Sequence, residues 1–139
     1  FGADNNHHDA VLYGYFGKDI NLTDGRYTYC RQAEAHSTVD HHTAMPVNFS
    51  SFHGREQLAK AEMGAFLPSA HGVPHYRFPV ESKRHHNAPD FNPIYDIVTD
   101  PLQQQPIRDK TVESALAEKM RALLERYDAP PCQRTRMGL

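Results

Sequence analysis

Tryptophan is absent from this chain, and cysteine nearly so: only Cys30 and Cys132 occur. Two cysteines build no disulfide framework, and neither lies in a Cys-x-x-Cys pair. No run of about 18 apolar residues occurs, so no membrane-spanning helix is expected. Apolar content is lean, at 39% with a mean hydropathy of −0.70, which reads as a soluble, loop-rich chain. Positive charge is not in excess: 15 Lys and Arg stand against 17 Asp and Glu, a formal charge of −2. No basic stripe argues for nucleic acid, and no basic amphipathic helix argues for a membrane surface. There are no internal repeats. The chain opens on Phe1 rather than Met and shows no signal-peptide pattern, so it reads as a piece of something longer or a processed product. Its compartment, periplasmic or cytoplasmic, is left open. A length of 139 residues supports one domain, 1–139, with a modest core.

The most organised stretch is Ala10 to Arg31, AVLYGYFGKDINLTDGRYTYCR. It reads as three antiparallel strands joined by tight turns at Gly17-Lys18 and Asp24-Gly25. Two-residue turns there set a register in which Phe16 faces Asp19 and Thr23 faces Arg26. Tyr15, Ile20 and Tyr29 then form one row, and Tyr13, Leu22 and Tyr27 the next, on a single apolar face. The other face carries Leu12, Gly14, Phe16, Asn21 and Cys30. A slip of one residue would exchange the two sets. The alternation of the tyrosines with Ile20 and Leu22 favours a core role over sugar stacking. Asp24 is expected to make the turn and Arg26 to flank it.

Downstream, Gln32 to Asn48 loses the pattern and reads as a long loop. A short helix is expected over Gly54 to Met63. Recurrent Gly and Pro from Gly64 to Pro93 give irregular chain, with an extended piece around His75 to Val80. Ile94 to Val98 reads as a fourth strand, stopped by Asp100-Pro101. The clearest helix is Thr111–Tyr127, with Val112, Leu116, Met120, Leu123 and Tyr127 on one stripe. Asp109 or Thr111 is placed to cap it, and Pro130-Pro131 to end it. The fold class expected is therefore α+β: a four-stranded antiparallel sheet with the C-terminal helix across its tyrosine face, and long irregular loops. The sequons at Asn21 and Asn48 are read as chance.

Ten histidines are many, and they pair up as His7-His8, His41-His42 and His85-His86. Neighbouring residues on a strand point apart, and His-Glu-x-x-His is missing. These histidines read as solvent-exposed loop residues, and no metal site is assigned.

Several blocks resemble a known family. Gly14-Tyr15-Phe16-Gly17 with Asn21-x-Thr23-Asp24-Gly25-Arg26-Tyr27-x-Tyr29 is similar to the start of the C-terminal subdomain of bacterial type I sulfatases, in the alkaline-phosphatase superfamily. Ala44-Met45-Pro46 with Phe52 and Glu56-x-Leu58, then Gly72-Val73-Pro74, then Ile94-Tyr95-Asp96-Ile97-x-x-Asp100-Pro101, follow in the family's order. The tail, Asp128-Ala129-Pro130 and Arg136-x-Gly138-Leu139, resembles its exit. Where the family often has Lys before Gly-x-Pro, this chain has His71, and Val47-Asn48 replace the family's Thr-His after Met-Pro.

The resemblance implies a catalytic domain upstream as the chief partner, with calcium and a formylglycine residue as the parent's cofactors. Neither cysteine fits the Cys/Ser-x-Pro-x-Arg motif from which formylglycine is made, and the family's calcium-binding carboxylates are absent. No catalytic or metal residue, and no cofactor, is therefore assigned to this chain. It is expected to be inert alone, a structural and substrate-framing subdomain of a sulfuric ester hydrolase. His71 and His75, in the loop that the resemblance brings near the parent's active-site mouth, are the substrate-proximal candidates. The Leu12, Gly14, Phe16 and Asn21 face is expected to meet the catalytic domain. Two alternatives stay open: a phosphonate or phosphate ester hydrolase of the same superfamily, and a stand-alone binding or assembly module. A cut fragment should expose an apolar patch and tend to self-associate.

Overall fold

A computed structural model describes residues 8–47, 51–84 and 88–139. His7, the Asn48 sequon and the His85-His86 pair lie outside them, as does nearly all of the polar lead-in. The architecture is α+β. Four antiparallel strands, β1 (Val11–Gly14), β2 (Ile20–Thr23), β3 (Tyr27–Arg31) and β7 (Ile94–Asp96), form one sheet in the order β1-β2-β3-β7. Helix α2 (Lys110–Arg126) lies on it. Leu22, Tyr29 and Ile94 from the strands meet Leu116, Met120 and Leu124 from the helix, all nearly or fully buried, with Ala10 closing one end. Burying side chains of this size stabilises by roughly 1.5–3 kcal/mol each before entropy is subtracted, so this contact dominates the core. Asp109 caps α2, accepting from the Thr111 and Val112 amides.

The register differs from the one expected. The β2–β3 turn centres on Gly25-Arg26, one residue later than Asp24-Gly25. Asp24 itself accepts at Oδ1 from the Arg26 and Tyr27 amides, and Gly25 takes φ +87°. The whole β3 pairing therefore moves by two residues, Leu22 facing Tyr29 and Thr23 facing Thr28. A shift of two keeps every side chain on its own face. The β1–β2 loop is longer by one residue, with Gly17 at φ +73° and Lys18 N donating to Tyr15 O. That shift of one puts Leu12 opposite Leu22 and Tyr13 opposite Asn21. Leu12 packs on the core, while Tyr13 and Tyr15 are 46% and 79% exposed. Tyr27 and Tyr29 stay on the core face; Tyr13 and Tyr15 do not.

Four further expectations are corrected. Residues 32–48 are not all loop: β4 (Thr38–Thr43) pairs with β6 (His75–Glu81), and β5 (Glu62–Gly64) adds to the other side of β6. This three-stranded second sheet has the order β4-β6-β5. The extended piece expected at His75 to Val80 is its centre. The expected 54–63 helix shrinks to α1 (Arg55–Leu58), because Met63 is taken into β5. Pro130-Pro131 does not simply end the chain's helix. Pro131 opens α3 (Pro131–Arg136), where a missing N–H costs nothing at the first turn. On α2 the stripe ends at buried Leu124 rather than Tyr127, which is exposed.

The two sheets join at the β1–β2 turn and α3. Lys83 N donates to Gly17 O, Phe16 sits edge-on to His41, and buried Arg136 donates through Nη1 to Lys18 O.

Candidate functional site

Strand β4 reads Thr-Val-Asp-His-His-Thr, so its side chains alternate between the faces of the small sheet. Val39 and His41 point one way, and Asp40 and His42 the other. Each of the two adjacent histidines finds another histidine on its own face.

On the first face His41 stacks on buried Phe78, with ring centroids 5.0 Å apart and planes 11° apart. His53, 7% exposed, packs edge-on to both, 5.0 Å from His41 and 4.8 Å from Phe78. Phe16 from the large sheet closes the cluster. His53 Nε2 is buried and has no hydrogen-bond partner among the described residues.

On the second face His42 Nδ1 lies 3.1 Å from His75 Nε2, and His75 Nδ1 lies 3.0 Å from Val73 O. A carbonyl only accepts, so His75 Nδ1 carries a proton. In neutral His75 the Nε2 is then an acceptor, and His42 Nδ1 is the donor. His42 Nε2 is left as a bare lone pair, buried and unpartnered among the described residues. Donation thus runs one way, from His42 to His75 and from His75 to Val73 O. Phe66 packs edge-on to His75 at 5.6 Å, and Arg77 lies over the Phe66 ring with its guanidinium carbon 4.0 Å from the centroid. Arg77 is in turn held by Glu62.

Burial pushes the His42 imidazolium form down, His75 adds to this, and Arg77 and His41 add less; Asp40 alone opposes. His41 is pushed down by burial first and by His53 second. Both groups thus favour the neutral form more than a free histidine does.

Of the two residues singled out from sequence, His75 is 7% exposed and its ring belongs to this relay. His71 is exposed, in a left-handed conformation at φ 48° that closes the 3-10 turn Pro68–Ala70. They do not form one pair: the partner of His75 is His42. The reading of His41-His42 as exposed loop residues is overturned, since both are half-buried on a strand. His8 is exposed, as expected. The period-two pattern of β4 was the available signal, but an aspartate and three polar neighbours hide it. His53 has no local signal; the Val47–Phe52 bridge and the hydrogen bond from His53 N to Pro46 O bring it in. No cluster of three or more metal-type ligands occurs among the described residues.

The sequence blocks on the large sheet form a second constellation. Arg26 donates through Nε and Nη2 to Asp96 Oδ2 at 3.2 and 3.1 Å, and Ile97 N donates to Arg26 O. Asp24 receives Lys119 of α2 at 2.7 Å. Arg31 donates to the Tyr29 hydroxyl and to the carbonyls of Met137 and Gly138, so β3 holds the chain's tail. Comparison with protein families, with curated proteins and with solved structures finds no match for this chain.

Proposed function

We propose that this chain is the C-terminal subdomain of a sulfatase-like sulfuric ester hydrolase, and that it frames the substrate rather than transforming it. The observation that supports this most is the union of the two most family-like blocks. Thr-Asp-Gly-Arg-Tyr and Ile-Tyr-Asp-Ile-x-x-Asp-Pro lie some 70 residues apart, yet Arg26 of one is bound to Asp96 of the other. Motif residues that hold each other belong to a scaffold.

The register moves the expected docking face. Leu12 and Gly14 belong to the core side of β1, so the face offered to the catalytic domain is Val11, Tyr13, Asn21 and Cys30. Val11 and Tyr13 are 48% and 46% exposed, an apolar pair suited to such cover. His71, exposed on its loop, is the group of the two that can reach a sulfate or sugar oxygen. His75 supports the loop from beneath.

The test is the full-length parent. Its upstream region should contain Cys/Ser-x-Pro-x-Arg, and the purified protein should hydrolyse an aryl sulfate while the 139-residue chain does not. His71→Ala in the parent should raise KM more than it lowers kcat. Preference for a phosphate or phosphonate ester would replace the sulfatase reading. An upstream region without such a domain would overturn both.

A further inference from the structure

We infer that the small sheet β4-β6-β5 is an acid-sensitive latch, held shut by a histidine–histidine contact on each of its faces and opened when His41 and His42 take up protons, while the large sheet with α2 stays folded. The inference is independent of the proposed function.

The geometry carries it. His41 and His42 are consecutive on β4, so their rings lie on opposite faces, and each meets a second histidine within one ring contact. On the second face the hydrogen bond from His42 to His75 uses the only lone pair of neutral His75. A proton arriving at His42 Nε2 makes a cation whose new N–H is buried with no acceptor among the described residues. A proton arriving at His75 Nε2 removes the acceptor and sets two donors nose to nose. The first event keeps the His42–His75 hydrogen bond but leaves a buried N–H unpaired; the second removes that bond, or drives the His42 proton onto the same unpartnered Nε2. On the first face a charged His41 would lie against His53, a second group that can charge, although the Phe78 face offsets part of that cost.

The surroundings supply little compensation. Among the described residues, Asp40 on β4 is the one carboxylate that favours a charged His42, and it is shared with Cys132 of α3. Arg77 on β6 opposes the charge, and Glu62 on β5 is occupied by Arg77. Packed α1 brings Arg55 and Glu56, both exposed, and the β1–β2 turn brings Lys18. Arg136 of α3 is spent on Lys18 O and Gln133.

The sign follows from linkage. His41 and His42 lie below the ordinary value of 6.5 in the folded chain, so the unfolded small sheet binds more protons. Its stability is whole above 6.5 and is lost as pH falls from there through the folded values. Among the described residues, the large-sheet core contains no histidine.

Amide hydrogen exchange on the full chain, corrected for intrinsic rates, tests this between about pH 7.5 and about pH 5. Protection at β4 and β6 should fall at least about tenfold relative to β2, β3 and α2, which should keep theirs. His42→Asn, whose side-chain amide mimics the donating Nδ1, combined with His41→Phe, should remove most of that pH dependence. Protection lost equally in both sheets, or unchanged with pH in the unsubstituted chain, overturns the inference, whether or not the double variant folds. A folded double variant with the full pH dependence overturns it as well.

Discussion

Arg26, in the turn before β3, and Asp96, at the end of β7, close on each other, with Nε and Nη2 of one both within 3.2 Å of Oδ2 of the other. Asp96 also accepts at Oδ1 from the amides of Val98 and Thr99, so one carboxylate organises both a strand pair and the turn that follows it. Burial alone would raise the Asp96 carboxyl; Arg26 and the two amides outweigh that and hold it below the usual range. Asp24 behaves alike, with Lys119 and the amides of Tyr27 and Arg26 outweighing burial.

Replacing Arg26 by Gln should therefore move the Asp96 titration up toward 3.8, read from its carboxyl carbon shift, and should speed exchange of the Ile97 amide. The accompanying stability change has a definite sign. Both carboxyls are depressed in the fold, so their contribution is present above 3.8 and is lost as pH falls below it. An Asp96 titration that Arg26→Gln leaves in place would remove the pair from this account.

The one-residue slip of β1 makes Leu22 and Tyr13 a sharp contrast. Leu22 is fully buried beneath α2, so Leu22→Ala should cost about 2–5 kcal/mol by denaturant unfolding. Tyr13→Ala, on the outer face, should stay within about 0.5 kcal/mol. Under the register expected from two-residue turns, both would be costly. Equal losses would restore that register.

Gly14 tests the same strand from its backbone. A Cβ built there lies 2.7 Å from the Asp19 carbonyl oxygen, which cannot swing away as a side chain would. Gly14→Val should destabilise the chain by about 1–3 kcal/mol, visible as a lower denaturation midpoint at unchanged m-value. Because that clash is internal, Val11 rather than Gly14 is the position at which to probe docking on the outer face.

Cys30 should be a poor nucleophile. Burial, with a smaller contribution from the Asp19 charge, pushes its thiol up to about 11. Only about one thiol in ten thousand is then ionised at neutral pH, so alkylation by iodoacetamide should lag a free cysteine by well over tenfold. Cys132 is also raised, by burial first. Rapid modification of Cys30 in the folded chain would show that the outer face opens.

What the sequence determined by itself was periodic and local. The α2 stripe from Val112 to Met120, the Asp109 cap, the strand at Ile94 and the meander from Val11 to Arg31 follow from spacing and turn chemistry, and with them the α+β class. Leu22, Tyr29, Leu116 and Met120 could be assigned to one core because alternation on strands and 3.6-fold spacing on a helix each define a face.

Tertiary structure decided what depends on the length of a turn or on distant partners. One extra residue in the β1–β2 loop turned Tyr13 outward and Leu12 inward, since strand faces alternate with period two. Strand β4 exists because β6, more than 30 residues on, pairs with it; its own residues are mostly polar and mask its alternation. The histidine site follows from that pairing. His41 and His42 were separated by the pleat, His75 came from β6 and His53 from a loop, and only the fold could bring the four around one small sheet.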